Sequence, residues 1–373
     1  MKKYLLCLLT AAMAAGCTTA SDKVSVKGNL KNVGDTLFLF SPTERKVLDT
    51  VAVSNGQFAF TFSADAVGDY YLVAPAALRG QSGAHLLFVA VPGETLELTG
   101  DANDRYDFGG SKFYQDYHEV DLLTENAQKE VSDFTQRLQG MMMQGVPQDS
   151  VMKLYQAGIE PLQQKVEQTI LQFIKDHPDM EACATLVGQL SPERMADAVA
   201  LFSDRVKNGR MQPYYQGIID RVRQEQQAEQ AAAQKQAQGV SAPDFTLNDL
   251  QGKPLTLSSL RGKYVVLDFW GSWCGWCIKG IPQMKEYYEK YKGKFEILGV
   301  DCNDTQAKWR AAVEKYQLPW LHVYNPRDSR LLEDYGIQGF PTKIILSPEG
   351  RIVKTIVGED PAFYAQLDEL FGK

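Results

Sequence analysis

The chain contains only four histidines in 373 residues, which leaves little material for a multi-histidine metal site. Cysteine is scarce as well. Six residues are too few to staple a chain of this length into a disulfide scaffold. Positive charge is in deficit. The 39 Lys and Arg face 46 Asp and Glu, a net charge of −7, so phosphate-driven binding of nucleic acid has no electrostatic basis. Hydrophobic residues make up 44% and charged residues 23%, which excludes a disordered chain and a polytopic membrane protein. At about 150 residues per domain, the length predicts roughly two to three domains.

The N-terminus bears on the compartment. Lys2 and Lys3 precede an apolar stretch, Tyr4 to Ala12, that is too short to span a bilayer. The following Ala14-Ala15-Gly16-Cys17 resembles a bacterial lipobox. That resemblance implies a signal peptide over 1–16 and acylation of Cys17, hence a lipid-anchored protein of the cell envelope or periplasm. An ordinary signal peptide cut near the same place is the alternative. With Cys7 removed and Cys17 acylated, the remaining thiols are Cys183, Cys274, Cys277 and Cys302.

Three regions of different texture follow. Over 22–110, apolar residues alternate, as in Val24 and Val26, Leu37 and Leu39, and Phe58, Phe60 and Phe62. Turn residues recur about every ten positions, which predicts an all-β sandwich or barrel, and Asn55-Gly56 predicts a hairpin. Over 111–238 glycine thins out and helical spacing takes over, as in Leu122, Leu123, Val131, Phe134 and Leu138. Ser191-Pro192-Glu193 predicts a helix start. Gln224 to Gln238 reads as a solvated helix or linker, and Met141-Met142-Met143 as core filler or loop rather than a sticky surface. This helical middle is a candidate homodimer surface. Over 240–373 strand and helix patterns alternate, which predicts an α/β domain.

The chemistry concentrates at Trp273-Cys274-Gly275-Trp276-Cys277, placed after a buried strand and at the opening of a helix. A thiolate at a helix N-terminus is stabilised by the macrodipole and by free N–H groups. The two-residue spacing lets Cys277 reach back and resolve a mixed disulfide. A zinc site would need two further ligands, and no second Cys-x-x-Cys or paired His exists, so no metal is expected. Asp268 interrupts the apolar strand, where burial should raise its pKa.

The stretch from Leu267 to Cys277 resembles the thioredoxin active-site strand and loop, and Pro282 lies where that family kinks the following helix. Tyr335 to Thr342 resembles the segment carrying the cis-proline, and Ala242-Pro243-Asp244-Phe245-Thr246-Leu247 resembles the opening of membrane-associated thioredoxins and of the AhpC/TSA peroxiredoxins. The C-terminal third is thus similar to the TlpA/ResA-like thiol-disulfide oxidoreductases, and 22–110 resembles the DUF4369 domain of Bacteroidetes lipoproteins. The resemblance implies an enzyme that exchanges protein disulfides through Cys274 and Cys277, with Asp268 handling the Cys277 proton. Trp273, Trp276, Phe340, Pro341 and Thr342 would line the substrate chain. It implies no diffusible cofactor, envelope protein thiols and disulfides as substrates, apocytochrome c among them, and a membrane electron donor. Reduction is the expected direction. Trp276, which replaces the usual proline, keeps oxidase or isomerase chemistry open, and a binding module with secondary redox chemistry is a further alternative. Cys302, at the end of a strand, could lie near Cys274 but reads better as a buried residue, as does His322.

Overall fold

The computed structural model describes residues 22–372, so the signal peptide and Cys17 fall outside the described residues. The chain divides into two compact units, one ending at Arg223 and one starting at Gln224.

The first unit begins with eight strands: β1 (Lys23–Lys31), β2 (Thr36–Ser41), β3 (Lys46–Ala52), β4 (Gln57–Ser63), β5 (Gly68–Val73), β6 (His85–Ala90), β7 (Thr95–Asp101) and β8 (Tyr106–Gly110), with a one-turn helix α1 (Pro75–Leu78) after β5. They form two four-stranded sheets, ordered β4-β1-β7-β8 and β3-β2-β5-β6. Period-two alternation turns Val24 and Val26 of one sheet and Leu37, Leu39, Leu86 and Phe88 of the other into one shared core. Asn55 and Gly56 do take left-handed φ values of 52° and 79°. The strands on either side part into different sheets, however, and only the Ser54–Gln57 bridge closes the turn. The expected hairpin is therefore a crossover between sheets. Local turn chemistry fixed the bend, while pairing of β3 with β2 and of β4 with β1 carried the two strands into separate sheets.

Helices follow: α2 (Lys112–Met143), α3 (Gln148–Asp176), a 3-10 segment (Glu181–Gln189), α4 (Pro192–Leu201), α5 (Asp204–Lys207) and α6 (Gln212–Lys235), which runs past Arg223. Phe113, Tyr114 and Val120 of α2 pack into the core of the β-strands, together with Ile170 of α3 and Cys183. Met141 to Met143 form the last turn of α2, with Met143 84% exposed, so they are neither loop nor core filler. α4 starts at Pro192, but the Ser191 hydroxyl makes no cap bond; the Ser191 N–H donates instead to the Glu167 carboxylate at 2.6 Å.

The second unit opens with the end of α6, which is less solvated than the Gln/Ala composition suggests. Ala232 is buried against Gly336, and the Gln236 amide donates to the carbonyls of Tyr335 and Gly336. Then come β9 (Thr246–Asp249), β10 (Pro254–Thr256), β11 (Tyr264–Trp270), α7 (Gly275–Lys290), β12 (Phe295–Asp301), α8 (Gln306–Lys315), β13 (Leu321–Tyr324), α9 (Leu331–Asp334), β14 (Thr342–Leu346), β15 (Ile352–Val357) and α10 (Ala362–Phe371). The seven-stranded sheet is ordered β10-β9-β13-β12-β11-β14-β15, with β11, β12 and β13 parallel and β14 antiparallel to β11. β11 is central and buried on both faces, which explains its continuous apolar run. Val266 and Trp270 share a layer with Cys274, Cys277, Ile281 of α7 and Phe363 of α10. Val265, Leu267 and Phe269 pack on the other face with Leu298 and Val300 of β12 and Ile344 of β14. At about 1.5–3 kcal/mol per fully buried aliphatic or aromatic side chain, this strand anchors the domain. No helix among the described residues is long and apolar enough to cross a membrane.

Candidate active site

β11 ends at Trp270 and α7 starts at Gly275, at the carboxyl ends of the parallel strands β11, β12 and β13, where α/β folds place their chemistry. Cys274 is the N-cap of α7, with extended backbone at φ −86° and ψ 100°, and its Sγ accepts the Cys277 backbone N–H at 3.2 Å. The two cysteines are joined in a disulfide with Cα atoms 5.3 Å apart. After reduction, a thiolate on Cys274 would occupy the positive end of α7. Both cysteines are nearly buried, yet Trp273 and Trp276 beside them are 52% and 55% exposed. The Lys279 ammonium lies over the Trp276 ring at 4.6 Å.

Two contacts from the end of β12 hold this loop. The backbone N–H and the hydroxyl of Ser272 both donate to Asp304, each at 2.7 Å. The Trp273 indole N–H donates to the Cys302 carbonyl at 2.9 Å. A Cβ at Gly271 would overlap that indole nitrogen and that carbonyl, so the close approach requires glycine here. Asp304 escaped the sequence reading because its partner is 32 residues away. Its place just beyond the carboxyl end of a parallel strand was the available signal. Asp301 lies fully buried next to it. Burial and the neighbouring Asp304 push its carboxyl up to about 9, so it keeps its proton at neutral pH.

The Phe340–Pro341 bond is cis, and the Phe340 ring meets Trp273 edge-on at 5.3 Å. The structure thus brings Trp273, Phe340 and the cysteine loop together. Thr342 is turned inward: its side chain is buried and its hydroxyl donates to the Gly339 carbonyl at 2.7 Å. The Pro341 carbonyl accepts the Gly358 N–H at 2.7 Å.

Asp268 lies on the β11 face that also carries Val266 and Trp270, the face packed with the cysteines. Burial pushes its carboxyl up to about 6; the Lys343 ammonium pulls the other way and Glu359 adds to the rise. Lys343 is the direct cross-strand partner of Asp268 and is only 1% exposed. Its Nζ bonds to Glu359 Oε2 at 2.8 Å, and the Tyr364 hydroxyl donates to the other Glu359 oxygen at 2.9 Å. Neither Lys343 nor Glu359 stood out in the sequence, since one sits in an apolar strand and the other in a turn.

The Cys302 thiol packs in the layer opposite the Cys274–Cys277 pair and donates to the Val300 carbonyl at 3.3 Å. Burial and the acids around it push it up, so it is a poor nucleophile. His322 is buried and its pKa falls to about 3, which leaves the ring neutral. Among the described residues no three His, Cys, Asp or Glu side chains gather into a metal-holding group.

This geometry, a dithiol pair at the head of a helix beside a cis-proline turn on a thioredoxin-like sheet, defines a thiol-disulfide oxidoreductase of the thioredoxin fold. Comparison with known proteins places it further. Residues 238–355 match the AhpC/TSA family and residues 24–117 match a domain of unknown function, DUF4369. The chain is 37% identical over 130 residues to the thiol-disulfide oxidoreductase ResA of Bacillus thuringiensis (strain Al Hakam), covering 35% of this chain and 75% of that protein. To ResA of Bacillus subtilis (strain 168) it is 34% identical over 123 residues, covering 33% and 68%. It is also similar to the crystal structure of the thioredoxin domain of a thiol-disulfide oxidoreductase from Bacteroides vulgatus, with 34% identity, a TM-score of 0.35, and coverage of 36% of this chain and 98% of that one. Through its C-terminal domain the chain belongs to the ResA family of thiol-disulfide oxidoreductases.

Proposed function

We propose that the protein is a reductase of protein disulfides in the cell envelope, anchored to a membrane through acylated Cys17. The observation that carries this reading is the buried Asp268 on the cysteine-bearing face of β11. A base at that place takes the Cys277 proton and so speeds resolution of the mixed disulfide, the step that completes reduction of a substrate. The Cys274 thiolate attacks a substrate disulfide. A bond forms between Cys274 Sγ and one substrate sulfur, and the other substrate sulfur leaves and takes up a proton. Cys277 then loses its proton to Asp268 and attacks Cys274 Sγ. The Cys274–Cys277 disulfide forms and the second substrate sulfur leaves as a thiol. The substrate has gained two electrons and the enzyme has lost two. A membrane dithiol donor restores the enzyme by the reverse steps. The redox equivalents pass through the cysteine pair itself, without a diffusible cofactor. Trp273, Trp276, Phe340 and the Pro341–Thr342 backbone form the rim on which the substrate chain lies.

The test pairs two measurements. Cys277→Ala should trap envelope proteins, apocytochrome c among the candidates, as stable mixed disulfides on Cys274. The reduction potential of Cys274–Cys277 should lie near or below about −230 mV. A value of about −120 to −180 mV would reverse the electron flow and replace the reductase by an oxidase or isomerase.

A further inference from the structure

Asp268 does not sit with a single counter-ion. Lys343 faces it across β14, Glu359 approaches from the turn after β15, and Tyr364 from α10. Gly299, its partner on β12, brings no charge. The cysteine pair lies on the same side through α7, and the Cys302 thiol feels the Asp268 charge from the end of β12. Within this group there is one cation for two carboxyls. The Lys343 ammonium is committed to Glu359 at 2.8 Å, and the Tyr364 hydroxyl holds the other oxygen of Glu359 in place. Space for this arrangement comes from Gly280 of α7, where any Cβ would overlap the Glu359 carboxyl. The bond between Lys343 and Glu359 is therefore built into the underside of the active-site helix.

We propose that Lys343 and Glu359 are positioning residues for the Asp268 proton: Glu359 engages the one buried cation among these described residues and so withholds it from Asp268, which therefore holds its proton in the oxidised enzyme to a higher pH than it would with the ammonium to itself. The proposal rests on the reading of Asp268 as the group that serves Cys277. When an incoming thiolate attacks Cys274, the Cys274–Cys277 bond breaks and the electron pair leaves on Cys277. Asp268 gives its proton to that sulfur, and the new carboxylate is compensated by Lys343. In the opposite direction the carboxylate takes the proton back. Lys343 shared between two acids thus lets Asp268 exchange a proton without leaving a bare charge in the core.

The two partners make opposite predictions. Glu359→Gln removes a negative charge and frees the ammonium, so Asp268 should ionise at lower pH. Lys343→Met removes the positive charge, so Asp268 should ionise at higher pH. The readout is single-turnover reduction of the oxidised full-length chain by dithiothreitol, followed by tryptophan fluorescence from pH 4 to 9 and divided by the thiolate fraction of the reductant. The wild type should show a fall in this normalised rate with a midpoint at about 6, the value at which Asp268 loses its proton. Glu359→Gln should move the midpoint down and Lys343→Met up, each by roughly one pH unit. If Lys343→Met does not fold, the double variant Lys343→Met/Glu359→Gln takes its place, and its midpoint should lie above that of Glu359→Gln alone. A wild-type profile without a step, midpoints that stay fixed, or shifts in the same direction would overturn the proposal, since a merely structural pair would slow the reaction without moving its midpoint. Because dithiothreitol replaces the protein partner, the outcome is independent of whether the enzyme is a reductase of envelope proteins.

Discussion

Replacing Asp268 with Asn should stabilise the C-terminal domain and slow its chemistry at the same time. The magnitude follows from the raised carboxyl. An ordinary aspartate ionises near 3.8, whereas Asp268 holds its proton to about 6. The native state therefore binds the proton more tightly than the unfolded chain, and wild-type stability falls as pH rises through that window. A shift of about two units corresponds to roughly 3 kcal/mol of cost once Asp268 is fully ionised. Asparagine carries no charge and escapes this cost, although its amide needs hydrogen bonds of its own, which offset about 1 kcal/mol. A net gain of about 2 kcal/mol is expected above pH 7, falling through zero to a loss of about 1 kcal/mol below pH 4, where only the amide offset remains. The assay is equilibrium urea unfolding of both proteins between pH 4 and 8, followed by tryptophan fluorescence. All five tryptophans lie between residues 270 and 320, so the signal reports on the C-terminal unit alone. A stability difference that does not change with pH, or one that favours the wild type at pH 8, would refute the burial argument. Under the proposed mechanism exchange activity measured in parallel should drop, because Asp268 is the group proposed to move the Cys277 proton.

Three further outcomes follow from the loop and its surroundings. Asp304→Ala removes the acceptor for both Ser272 donors and should cost roughly 2–4 kcal/mol, with faster hydrogen exchange at the Ser272 amide as the local signature. Iodoacetamide applied to the reduced native protein should label Cys274 and spare Cys302, and Cys302→Ala should leave exchange activity unchanged; labelling of Cys302 would contradict its place in the opposite layer. Trp276→Ala, at a side chain that is 55% exposed, should lower kcat/KM for a protein disulfide about tenfold, or roughly 1.4 kcal/mol, while reduction of the enzyme by dithiothreitol stays within a factor of two.

Much of the C-terminal domain was legible in the chain because its signals are local. The apolar run of β11, the cysteines at a helix start and the turn around Pro341 each declare themselves within about ten residues, and each element stands where its pattern places it. Alternation likewise revealed the β character of 22–110. Signals failed where two segments compete for one partner. Asn55-Gly56 specifies a turn, yet which sheet β3 and β4 join depends on β2 and β1. The Gln/Ala-rich end of α6 has no apolar stripe, yet Ala232 and Gln236 find the Tyr335–Gly336 turn about a hundred residues later.

The sequence by itself determined the Cys274–Cys277 pair, the helix it opens and the strand that carries Asp268, because spacing and periodicity are properties of a continuous segment. Only the tertiary structure decided that Asp304 holds Ser272, that Lys343 serves Glu359 beside Asp268, and that Cys302 faces away from the disulfide. Those relations join residues far apart along the chain. They arise from sheet register and from which face of β11 or β12 a side chain takes, and a one-residue change of register would undo each of them.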